Sequence, residues 1–149
     1  MPFRRRRAPE PPRPPELAPL SLEDAQWRSS QLEIARSLGE RYLDRSELPP
    51  SLSSLDAVID AWFADDDARV EVNTLVNGVG ITLGHHLVKA VDLTWVIATD
   101  EAGSDLALHR PVGDVLIYPC RLVAERVVAD ERDFVEVMFD DLVTSIRAT

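Results

Sequence analysis

Apolar residues recur at helical spacing along most of this chain and alternate over one short stretch. In SLEDAQWRSSQLEIARSLGERYLD, Trp27, Ile34, Leu38 and Tyr42 share one face of a first helix. Ser21 precedes it as an N-cap, and Asp24, three positions on, suits the acid of a shortened capping box. ELPPS (47–51) breaks that helix. Leu55, Val58, Ile59, Trp62 and Phe63 then fall at i, i+3, i+4, i+7 and i+8, a second helix buried on one face. Asp65, Asp66 and Asp67 stand where the positive end of a third helix would favour carboxylates.

RVEVNTLVNGVGITLGHHLVKAV admits two readings. Val70 and Val72 alternate as in a strand, whereas Val72, Leu75, Val76, Val79, Leu83, Leu87 and Ala90 form one continuous helical stripe. The stripe accounts for more residues and predicts a helix over 66–91, although each internal glycine costs about 1 kcal/mol of helix propensity. Three short strands follow, at 93–99, 106–110 and 115–118, with DEAGSD as the first turn. Pro119 suits a first helical turn. Cys120, Val123, Ala124, Val127 and Val128 line a fourth helix, and Phe134, Val135, Met138, Leu142 and Ile146 line a fifth. The expected fold is α+β: three N-terminal helices, a three-stranded antiparallel meander and two C-terminal helices. Trp95 is expected to pack on Gly80 or Gly84, whose missing side chains leave room for a large ring.

Charge divides the chain. Residues 1–20 hold five arginines against two glutamates, +3, while the rest holds eleven basic and twenty-four acidic residues, −13. Seven of the eleven prolines lie in 1–19, which predicts a disordered Arg/Pro-rich arm ahead of a single domain at 20–149. So acidic a body repels nucleic acid and anionic lipid. Any polyanion contact is therefore assigned to Arg4, Arg5, Arg6 and Arg7, and is expected to be weak. Cys120 is the sole cysteine, no apolar run approaches the roughly 18 residues of a membrane helix, and no apolar core follows RRRR to make a secretion signal. These features predict a cytoplasmic protein.

The candidate chemistry gathers in VNGVGITLGHHLV (76–88). Gly78, Gly80 and Gly84, with Asp100 beyond, evoke a dinucleotide turn. Their spacing is G-x-G-x-x-x-G, and the following strands pair antiparallel through a hairpin turn. As spacers on a helix, Gly80 and Gly84 share a flank with Asn73 and Asn77. His85 and His86 diverge by about 100° on a helix, so they do not serve one metal. His86 reads as a satisfied core histidine and His85 as a solvated one. Cys120 on an apolar face reads as a small buried hydrophobe rather than a nucleophile. No residue is assigned as catalytic, cofactor-binding or metal-ligating. No nicotinamide, flavin, nucleoside triphosphate or structural zinc is expected.

LGHHLVKAVDLTWVIATDEAGSDLALHRPVGDVLIYPCRLVAERV (83–127) resembles the core of a family of small bacterial proteins known only as a domain of unknown function. The likeness lies in Leu83-Gly84, Trp95, Asp100, Gly103, Ala107-Leu108, Pro111, Pro119 and Arg126, taken in order. It implies a glycine-containing helix, a Trp-bearing strand, an acidic Gly turn and a Pro-started helix, and carries no activity with it. The function expected is a non-catalytic interaction or regulatory module that uses its acidic body to meet a basic protein partner. The alternative is a small enzyme with an acid-base site near Asp100, Asp105 and His109, with Arg110 beside them.

Overall fold

The computed structural model describes residues 13–149. In chain order the elements are β1 (Glu16–Pro19), α1 (Leu22–Leu43), α2 (Leu52–Ala64), α3 (Val72–Ala90), β2 (Thr94–Asp100), β3 (Gly103–Arg110), β4 (Val115–Ile117), α4 (Pro119–Val128) and α5 (Val135–Arg147). This is an α+β fold of five helices and one four-stranded antiparallel sheet ordered β1-β2-β3-β4.

α3 is the axis of the packing. Leu75, Val79, Leu83 and Leu87 are wholly buried, and from Gly78 to Gly84 every residue is buried. A helix apolar on all sides must be enclosed on all sides, and α1 and α4 flank it while α2 and α5 close the remainder. One face of the sheet joins this core through Trp95, Leu108 and Ile117. The opposite face carries a smaller cluster of Val96, Ala98 and Ala107 with Leu116 and Tyr118. The ends follow local chemistry. Ser21 caps α1 with the reciprocal Asp24 bond of a capping box, at 3.0 Å each way. Asp100 Oδ1 accepts the Ala102 amide in the hairpin turn, and Gly103 supplies the positive φ there.

Two expectations are corrected. The sheet has four strands, not three: Glu16–Pro19, expected within the unstructured arm, adds to the free edge of β2 in the register Glu16↔Thr99 to Pro19↔Val96. Pro19 has no N–H to offer and is tolerated because β1 is an edge strand. Residues 1–12 of that arm, with Arg4–Arg7, lie outside the described residues. α3 also begins six residues later than expected. Asp65, Asp66 and Asp67 form a turn instead, because Asp65 Oδ1 takes the amides of Asp67 and Ala68 and its other oxygen takes the Tyr42 hydroxyl. Among the described residues no helix is long and apolar enough to cross a membrane.

Candidate functional site

Each glycine of α3 seats a different neighbour. A Cβ on Gly78 would lie 3.3 Å from Ile34 Cγ2 of α1. One on Gly80 would lie 2.6 Å from the Cα of Cys120, and one on Gly84 would collide with the Trp95 ring. They are spacers that draw α1, α4 and β2 onto α3, and α3 is followed by an antiparallel hairpin rather than a parallel strand. The turn geometry of a dinucleotide site is not formed.

The histidines separate as their spacing requires. His86 is half-buried, its Nε2 2.8 Å from the Pro50 carbonyl oxygen. His85 is half-buried as well, rather than solvated. Burial, and then the charges of Lys89, His86 and Arg28, hold its pKa below the ordinary imidazole value. Among the described residues no three His, Cys, Asp or Glu side chains converge as metal ligands.

The acid-base set of the enzymatic alternative is not brought together. Asp105 and His109 stand four residues apart on β3, roughly 14 Å at about 3.4 Å per residue. His109 is registered between Thr94 and Leu116. Arg110, on the opposite face of the strand, donates to the Ile146 carbonyl at 3.1 Å. Asp100 is occupied with its own turn.

What Asp105 does meet is Arg121 on the first turn of α4. Nε and Nη2 both donate to Oδ2, at 2.8 and 2.5 Å. The same guanidinium lies 4.1 Å from the centroid of the Tyr118 ring. β4 ends at Ile117, so the stretch of β3 around Asp105 has no strand on its outer side, and Arg121 reaches Asp105 there. Behind this pair is a cleft of about 270 Å³ among α1, the β2–β3 hairpin, α3 and the start of α4. Trp27, Ile97, Leu106 and Tyr118 supply its apolar walls, and Asp24, Asn77 and Arg121 its polar rim. Cys120 closes the inner end, donating to the Asn77 carbonyl at 3.9 Å. Burial and then the neighbouring Asp105 charge push its thiol pKa up to about 12. A helix N-terminus ordinarily lowers a thiol pKa; here desolvation wins. Asp105 is engaged by Arg121, and the Cys120 thiol is held protonated at neutral pH.

Trp27, Tyr118 and Arg121 were not singled out by the sequence. Trp27 belongs to an ordinary helical stripe, and Arg121 finds its partner sixteen residues away. The flank of Asn77, Gly80 and Gly84 was visible, and it forms the side of α3 turned to α4 and the sheet.

Comparison with known proteins bears on fold and family. A crystal structure from Bacteroides thetaiotaomicron VPI-5482 superposes with a TM-score of 0.71 at 18% sequence identity, covering 92% of this chain and 50% of that one. This chain thus spans about half the length of that protein, and the likeness is one of fold. No curated protein matches the chain. Residues 51–139 match the family described as Domain of unknown function (DUF3806), a span from the start of α2 into α5 that takes in the glycine helix, the hairpin and the Arg121 helix. The chain belongs to that family.

Proposed function

We propose that this chain is a non-catalytic interaction module: one folded body behind an Arg/Pro-rich arm, acting in the cytoplasm and meeting a basic protein partner through its acidic surface. The observation that carries this reading is the outer face of α5. Glu136 and Asp140 stand one turn apart on it, with Val137 and Asp141 beside them, all exposed. Among the described residues none of these three carboxylates is in an ion pair. Like charges at i and i+4 cost a helix a few tenths of a kcal/mol, and Val137 adds an apolar side chain that is 58% exposed. A basic partner relieves both. Such a surface raises encounter rates more than final affinity, so association weakens steeply with salt.

The test is a titration of the labelled protein with a lysine-rich peptide at low and high salt. Chemical shifts on α5 are expected to move at low salt only. The triple substitution Glu136→Gln, Asp140→Asn, Asp141→Asn is expected to abolish them. Shifts that persist in the triple variant would sink the proposal for this face.

A further inference from the structure

In this acidic body Arg28, Lys89 and His85 stand on neighbouring parts of α1 and α3, outside the ion pairs of the described residues. Arg28 of α1 is half-buried, and among the described residues its guanidinium makes no ion pair. Arg36, Arg121, Arg126 and Arg132 each hold an acid. Arg28 instead sits over the Trp95 ring, 5.9 Å from its centroid. Lys89, in the last turn of α3, is likewise outside every ion pair of the described residues. His85, one turn earlier on the same flank, feels the charge of both. An anion placed beside a half-buried guanidinium that holds no acid makes a charge-assisted contact with it.

Beside Arg28 runs an apolar groove of about 620 Å³, between the β1–α1 link, α1, the last turn of α3 and the start of β2. Leu17, Leu20, Ala25, Val88, Leu93 and Trp95 give it its walls, and among the described residues Arg28 is the only charged one on its lining. It is an open, mostly apolar groove with a single charged group among its described walls, the composition small-ligand sites favour. Trp95, one of those walls, is seated against Gly84. The pattern is an open apolar groove with one cation on its wall.

We propose that this groove binds an amphipathic carboxylate, its hydrocarbon chain along Leu20, Val88 and Leu93 and its head on Arg28. An apolar chain alone is served by the walls; the unpaired guanidinium selects the acid over the alcohol. The site is separate from the α5 surface and does not depend on its reading.

The experiment uses decanoate, below its micelle-forming concentration, titrated into the full chain while tryptophan fluorescence and melting temperature are followed. A saturable change is expected, with decanol at least tenfold weaker. Arg28→Gln is expected to weaken decanoate at least tenfold while leaving decanol binding and the far-UV spectrum unchanged, and Arg28→Lys to recover part of the loss. If Arg28→Gln does not fold, the decanoate-to-decanol ratio on the native chain still decides. The proposal is overturned by the absence of saturation, by equal affinity for acid and alcohol, or by full decanoate affinity in folded Arg28→Gln. It is overturned too if sedimentation shows a dimer that Leu20→Asp dissociates, since a second copy would then fill the groove.

Discussion

The Trp95 indole rests directly on Gly84: a Cβ there would come within 2.8 Å of Trp95 Cζ2 and 3.2 Å of Pro119 Cγ. The strand that opens the hairpin and the residue that starts α4 therefore both depend on one missing side chain. Gly80 makes a harder contact, since its Cβ would meet backbone atoms of Cys120, Cα at 2.6 Å and N at 2.9 Å. Gly78 would meet the side chain of Ile34 at 3.3 Å.

An ordered series of alanine substitutions follows. Alanine gains about 1 kcal/mol of helix propensity at each position, while overpacking costs about 1–3 kcal/mol. Gly78→Ala is expected near neutral, because a side chain can shift. Gly84→Ala is expected to lose 1 kcal/mol or more by that scale, and Gly80→Ala more again, because backbone cannot move aside. Urea denaturation of the three variants checks the order, and a Gly80→Ala protein as stable as the parent would contradict it.

α5 has no capping side chain of its own. Asp56 of α2 fills that place, Oδ1 accepting the Val135 amide at 2.8 Å and Oδ2 the Glu136 amide at 3.1 Å. Asp56→Ala is expected to cost about 1–2 kcal/mol, the scale of a lost N-cap with its dipole term. Hydrogen exchange should report it locally: faster exchange at Val135 and Glu136, with α1 unaffected. Uniform acceleration across the chain would mean that the cap has no local role.

Cys120 should be inert in the native state. With a thiol pKa of about 12, the thiolate that reacts is scarce at pH 8. Native protein is expected to alkylate far more slowly than denatured protein. The linkage has a definite sign. The folded pKa lies above the unfolded value of 9.0, so the contribution to stability is complete below pH 9 and is lost as pH rises toward about 12. Cys120→Ala should therefore show a shallower alkaline decline than the parent; parallel curves would refute the burial argument.

Much of the fold was legible because burial writes a period into the chain. The stripe from Val72 to Ala90 outweighed the Val70–Val72 alternation, and Gly84 with Trp95 was legible as a small residue opposite a large one. β1 was not. Glu16–Pro19 is exposed throughout and pairs on one side only, so it leaves no alternating pattern, and Pro19 with the prolines before it reads as unstructured chain. The Asp65 turn failed for a related reason: carboxylates that suit a helix start also suit a turn, and only the distant Tyr42 hydroxyl chooses between them. The cleft was hidden because Asp105 and Arg121 are brought together by the short β4, not by spacing.

Tyr42 carries the last prediction. Its hydroxyl donates to Asp65 Oδ2 at 3.1 Å and accepts the Val70 amide at 3.2 Å, tying α1 to the loop before α3. Arg41 adds a bond to the Ala68 carbonyl of the same loop. Amide and hydroxyl donors, with Arg41 nearby, hold the Asp65 pKa below the ordinary carboxylate value; the Ala68 amide is the largest contributor. A depressed acid pKa stabilises the fold above the unfolded value of 3.8 and loses that contribution as pH falls through the lower folded value. Tyr42→Phe removes the hydroxyl but keeps the ring, and should cost about 1–2 kcal/mol at neutral pH for the two bonds. Asp65→Asn keeps an acceptor and removes the titration, so its stability should change less than the parent's between pH 5 and pH 2. Thermal unfolding across that range measures both. Equal acid slopes for the parent and Asp65→Asn would show that this loop is not tied to the body through the Asp65 charge.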